Sequence, residues 1–179
     1  ILIDCDPGLD DAVAIALAAS TSRLRIDAIT TVAGNAGLAM TTRNGLGIAA
    51  ALGLGCGVHA GAAQPLVLPL RTSTDLWGGT GDLGLEPSTA AASPSAAARL
   101  IAFLDNGSRH SRVVVAIGPL TNLALALAAR RDLADRIARL VVMGGGIAKG
   151  NATAHAELNI WVDPHAAGYV FGLGVPVVL

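Results

Sequence analysis

Four aspartates crowd into eight residues near the start of the chain, in Asp4-Cys5-Asp6-Pro7-Gly8-Leu9-Asp10-Asp11, directly after the apolar run Ile1-Leu2-Ile3. Alternation along an extended strand sends Asp4 and Asp6 to one face, both near the strand's carboxyl end. Pro7-Gly8 reads as a turn, and a helix opening near Asp10 brings two more acids back toward the first pair. So many anions in one turn repel and raise one another's pKa unless a cation sits among them. Oxygen donors with no Cys or His beside them suit a hard ion, Ca²⁺ or Mg²⁺. The plainer account makes Asp10 and Asp11 ordinary helix-start residues, favoured by capping and the helix dipole. That explains one or two acids, not four.

Further along, Asn35, Asn122, Asn151, Glu157 and Asn159 are side chains able to hold hydroxyl groups. Each has a plainer reading: turn formation for the asparagines, helix capping for the Glu157–Asn159 pair. Met143 alone reads first as core. Gly144-Gly145-Gly146 lacks the Lys-Ser/Thr partner of a phosphate cradle. His59, His110, His155 and His165 show no metal-ligand spacing, and Cys5 and Cys56 read as two reduced thiols.

The elements that must position these residues follow from short apolar runs alternating with Ala/Leu-rich segments. This is the pattern of βαβ units around a buried, mostly parallel sheet. Strands are expected near 1–5, 26–32, 56–59, 112–117, 139–143 and 175–179, and helices over 10–20, 38–52, 92–106, 120–130 and 164–172. Residues 61–91, rich in Gly, Pro and Thr, read as a long irregular loop. The expected class is α/β, an open sheet with helices on both faces, and residues 1–179 are read as one domain. In such sheets the ligand crevice lies outside the carboxyl ends of the strands, where the acidic turn falls.

Hydrophobic residues make up 53% of the chain and charged ones 14%, enough to bury a sizeable core. The net charge is −1 with no basic run, so a nucleic-acid partner has no electrostatic footprint. No segment approaches the roughly 18 apolar residues of a membrane span, and no signal peptide is visible. The expected location is the cytoplasm, although the chain opens at Ile1 without an initiator methionine.

Asp4-x-Asp6-Pro7-Gly8-x-Asp10-Asp11-Ala12-Val13-Ala14-Ile15 after an apolar strand resembles the signature of the inosine–uridine-preferring nucleoside hydrolase family. Its other blocks follow in order: Thr31-Val-Ala-Gly-Asn35, Gly118-Pro-Leu-Thr-Asn122, Val142-Met-Gly-Gly-Gly146, Gly150-Asn151, Ala156-Glu-Leu-Asn159 and Val162-Asp-Pro164. The resemblance implies a Rossmann-like nucleoside hydrolase fold and cleavage of ribonucleosides to ribose and free base, in purine and pyrimidine salvage. It implies a Ca²⁺ cofactor bound by Asp6, Asp11 and the Thr121 carbonyl, with Asp6 as general base on a calcium-bound water. Asp10, Asn35 and Asn159 would meet ribose hydroxyls or the attacking water, Asn151 and Glu157 the 5′-hydroxyl, and Met143 the sugar. Asp4 would be a supporting acid. Relatives assemble as dimers or tetramers, so a homodimer or homotetramer is expected.

Two departures from the family pattern stand out. Trp77, in Leu76-Trp77-Gly78-Gly79, takes the place of a histidine and could stack on a nucleobase. The family's last calcium aspartate and its adjacent histidine, a candidate leaving-group acid, fall beyond Leu179. The chain therefore reads as an N-terminal portion of the fold, and weak calcium binding with slow or absent turnover is the expectation for these 179 residues alone. Two other readings compete. One is a truncated or degenerate member that binds ribosides without efficient turnover. The other is a haloacid-dehalogenase-type phosphatase, with Asp4 and Asp6 as nucleophile and acid/base and the sole lysine, Lys149, pressed into service.

Overall fold

The computed structural model describes residues 1–87 and 95–179, except for the side chain of Trp77. In chain order the elements are β1 (Leu2–Cys5), α1 (Leu9–Ala19), β2 (Ala28–Thr31), α2 (Leu38–Ala51), β3 (Gly57–Ala60), α3 (Ser73–Trp77) and α4 (Ala96–Asp105). They continue with β4 (Arg112–Ala116), α5 (Thr121–Ala129), a 3₁₀ turn (Arg131–Arg136), β5 (Ile137–Val142), α6 (Leu158–Val162), α7 (Pro164–Phe171) and β6 (Val177–Val178).

The strands form one sheet in the order β3-β2-β1-β4-β5-β6, and every pairing is parallel. The chain builds outward from β1 to β3, then returns to the other side of β1 with β4. The order therefore reverses between β1 and β4, the position where open α/β sheets place a ligand crevice. Asp4 pairs with Thr30 of β2 on one side and Ala116 of β4 on the other.

Both faces of β1 are covered, which is why its four residues are all buried. Leu2, Val114, Ala116, Leu140 and Val142 face a core completed by α4, α5 and α7 through Leu100, Leu123, Leu127 and Val170. Ile3, Cys5, Ile29 and Val58 face the opposite core, closed by Ile15 of α1 and by Leu46 and Ile48 of α2. The α/β class with helices on both faces is thus as expected.

The differences are local. Residues 61–91 are not wholly irregular, because Thr72 caps α3 by accepting from the Asp75 amide, and the Asp75 carboxylate accepts from the Thr72 amide at 2.7 Å. Strands are shorter than the apolar runs: β2 occupies 28–31 of the expected 26–32, and β6 only 177–178 of 175–179. α4 begins at Ala96 after Ser95, and the first three residues of the expected 92–106 helix lie outside the described residues. The 3₁₀ turn and α6 were not expected at all, being too short to show a helical period.

Candidate active site

Asp6 is one residue beyond β1, so the turn rather than strand alternation sets its direction. It is 1% exposed. Its Oδ2 accepts from the Asn35 amide at 2.7 Å, and the Asn35 Nδ2 donates to the Asp6 carbonyl at 2.9 Å. Asp11, in the first turn of α1, accepts from the Gly8 amide at 2.8 Å and more weakly from Asn35 Nδ2 at 3.4 Å. Asp10 is solvent-exposed beside the same turn: a Cβ on Gly8 would meet Asn35 Nδ2 at 2.8 Å and Asp10 Oδ1 at 3.2 Å. Asp6, Asp10, Asp11 and Asn35 therefore converge around one Pro-Gly turn.

Glycines bring backbone close against Asp6. A Cβ on Gly34 would collide with Asp6 Oδ2, and one on Gly118 would lie 2.8 Å from both the Asp6 amide and Oδ1. The turn after β4 thus brings the bare backbone of Gly118 against Asp6.

A second group forms at the start of α6. Asn159 Nδ2 donates to the Ile117 carbonyl at 3.0 Å, to the Met143 carbonyl at 3.1 Å and to Met143 Sδ at 3.3 Å. Glu157 accepts from the amides of Asn159, Ile160 and Gly145, so it caps α6 while pinning the Gly144–Gly146 segment. Asn151 accepts from the Leu158 amide at 2.8 Å and is itself exposed, as is Met143. Capping, the plainer reading of Glu157, is correct as far as it goes. The two groups meet at Ile117-Gly118, where one residue touches Asn159 and the next touches Asp6. Trp77 ends α3, whose start is docked on the Asn35 turn through Ser73 Oγ donating to the Asn35 carbonyl at 2.7 Å; its side chain lies outside the described residues.

Asp4 stands apart from the other acids. It is fully buried, and its Oδ1 accepts from Thr30 Oγ1 at 2.5 Å and Asn122 Nδ2 at 2.8 Å. Burial pushes its pKa up to about 6, the two hydrogen bonds pulling the other way. Thr30 and Asn122 hold Asp4 Oδ1 within the interior, which suits a supporting acid and not the nucleophile of the dehalogenase-type reading. Asn122 also donates to the Thr31 carbonyl and accepts from the Ala62 amide. It joins β1, β2, α5 and the 61–72 segment in one node, a role that its place in a Thr-Asn pair did not reveal. Asn44 was missed as well: from inside α2 it donates to the carbonyls of Pro7 and Gly81, at 2.8 and 2.7 Å, fixing the acidic turn from behind. An Asn beside Gly45 within an Ala/Leu-rich helix was the available signal.

The electrostatics ask for a cation. Asp6 Oδ1, Asp11 Oδ1 and Asp4 Oδ2 are buried with no hydrogen-bond partner. Burial, then the neighbouring Asp11 charge, drives the Asp6 pKa well above the carboxylate range; burial, then Asp10, raises Asp11 to about 7. Among the described residues no three Asp, Glu, His or Cys side chains form a metal cluster. The side-chain donors at the turn are two, and any further oxygens must come from backbone, water or ligand. Two orphaned carboxylate oxygens fit a hard divalent ion in donor type.

The family model for inosine-uridine preferring nucleoside hydrolases matches residues 1–179. The chain belongs to that family. It is 42% identical to the non-specific ribonucleoside hydrolase RihC of Salmonella agona across its whole length, and it spans 59% of that relative. Among solved structures it is similar to a purine-preferring ribonucleoside hydrolase from Gardnerella vaginalis, with a TM-score of 0.90 and 31% identity over 98% of this chain and 58% of that one. An inosine-guanosine nucleoside hydrolase superposes with a TM-score of 0.86 at 30% identity, over 98% of this chain and 57% of that one. The chain therefore spans about three-fifths of the length of the relatives it matches.

Proposed function

We propose that this nucleoside hydrolase chain cleaves the N-glycosidic bond of ribonucleosides, with Asp6 as the general base. The observation that carries the reading is the buried Asp6–Asp11 pair, each with one unpartnered oxygen, at the sheet's switch point. Asp6, Asp11 and the Thr121 carbonyl would hold a divalent ion, read here as Ca²⁺. When bound, such an ion supplies charge neutralisation for the acids and orients water and sugar hydroxyls.

The chain's own residues do the rest. The Asn35 amide fixes Asp6 Oδ2, leaving Oδ1 free to accept a proton. Asp10, exposed beside the turn, and Asn35 present acceptor and donor groups to ribose hydroxyls. Asn159 and Met143 face the sugar from the β4–β5 side, and Glu157 with Asn151 receives the 5′-hydroxyl. Departure of the base leaves an oxocarbenium-like ribosyl centre, which negative side chains on this side stabilise. Homodimer or homotetramer assembly is carried over from the family likeness, and a cytoplasmic location is kept as the default reading of the sequence; no described helix is long and apolar enough to cross a membrane.

Product analysis tests the reading. Incubation with inosine, uridine and their 2′-deoxy analogues in Ca²⁺ should release free base from the ribonucleosides and markedly less from the deoxy compounds. Each unpaired site group left by a missing hydroxyl costs about 1–3 kcal/mol. Equal release from both sugars, or release of phosphate from p-nitrophenyl phosphate instead, would reject it.

A further inference from the structure

Asp163 is fully buried at the junction of α6 and α7. One of its oxygens is used in an ordinary way, since Oδ1 accepts from the Ala166 amide at 2.9 Å and caps α7, whose first residue is Pro164. Ser or Asn caps a helix as well as Asp, so capping alone does not call for a buried anion, which is costly to desolvate. The other oxygen explains the acid. Asp163 Oδ2 accepts from the Thr121 hydroxyl at 2.7 Å and from the Leu66 amide at 2.9 Å, two donors from elements outside α7.

Thr121 opens α5 three residues after Gly118, whose backbone lies against Asp6. Leu66 belongs to the segment that Asn122 grips at Ala62 and that leads to α3 on the Asn35 turn. We propose that Asp163 is a positioning residue that holds the Gly118–Thr121 turn against Asp6 through the Thr121 hydroxyl, and so sets the geometry of the acidic pocket. It acts through Thr121 and does not touch substrate. The inference rests on the cation reading above only for the binding arm of its test.

Calorimetric titration with Ca²⁺ and hydrogen exchange of the metal-free protein are measured together on wild type, Asp163→Asn, Thr121→Val and Thr121→Ser. Loss of a side chain that orients a metal-binding group weakens binding by roughly 10-fold or more. Asp163→Asn and Thr121→Val should each do so, the double variant should be no weaker than the weaker single, and Thr121→Ser should stay within about twofold of wild type. In the metal-free protein, exchange at the Gly118, Leu120 and Thr121 amides should quicken in Asp163→Asn and Thr121→Val while the β1 and β2 amides stay protected. A lowered melting temperature with unchanged calcium affinity and unchanged exchange at the turn would overturn the proposal, since a purely structural cap behaves that way. If wild type takes up no calcium, the cation reading falls, and the exchange pattern still decides this one. Should Asp163→Asn fail to fold, Thr121→Val carries both readouts.

Discussion

Asp6 and Asp11 are held charged only at a cost, because the fold desolvates them and supplies each with one oxygen that nothing satisfies. The pH consequence has a definite sign. Asp11 titrates near 7 in the folded chain against an ordinary 3.8, and Asp6 is displaced in the same direction. The fold thus favours their protonated forms, and this contribution is full below about pH 4 and is lost as pH rises through about 7. Metal-free protein should therefore melt lower at pH 8 than at pH 5, and millimolar Ca²⁺ should restore the difference at pH 8 while doing little at pH 5. A calcium response equal at the two pH values would reject the coupling. Replacing the charge acts similarly: Asp6→Asn should raise the metal-free melting temperature, about 2–4 °C per kcal/mol recovered. The same substitution should reduce base release by on the order of 10²–10⁴-fold. At this scale the sequence was most legible, since four acids in eight residues already marked this turn as the candidate site. What it concealed was the division of labour, for nothing in Asp4-Cys5-Asp6 says that Asp4 is claimed by Thr30 and Asn122.

Turns rather than helices or strands do the positioning, and glycine makes two of them possible. Gly34 and Gly118 bring backbone so close to Asp6 that no side chain fits between. Gly34→Ala should displace the Asp6 carboxylate and cut base release at least 100-fold, whereas Gly55→Ala, an exposed position with open space around its Cβ, should leave it within about twofold. Comparable rates in the two variants, measured side by side, would show that the close approach is not needed. Asn122→Ala tests the node beneath: it strips a donor from the buried Asp4 carboxylate and an acceptor from the Ala62 amide, and should lower stability by about 2–4 kcal/mol in denaturant melts. A change under about 0.5 kcal/mol would mean that water replaces it without loss. The long elements were legible from their apolar period. The short ones, α3 and α6, were not, because their boundaries are fixed by Thr72 and Glu157 side chains reaching backbone amides rather than by any period.

Taken whole, the molecule brings residues separated by more than a hundred positions to one point of a parallel sheet. Asp4 and Asn122 meet because β1 and β4 are neighbours, and Asn159 reaches the same crevice through the Ile117 carbonyl. Alternating runs announced the α/β class, but the strand order could not be read from them, since periodicity carries no information on which strands pair. The order puts the acidic turn where the sheet reverses, and that placement joins Asn159 and its neighbours to the acidic pair. The most direct test is release of hypoxanthine from inosine, followed over hours with excess Ca²⁺ or with chelator, for wild type and Asp6→Asn. The account predicts calcium-dependent release that chelator and Asp6→Asn each abolish. Release that persists undiminished in Asp6→Asn or with chelator would contradict it, and none above the buffer rate in wild type would favour the alternative of riboside binding without turnover.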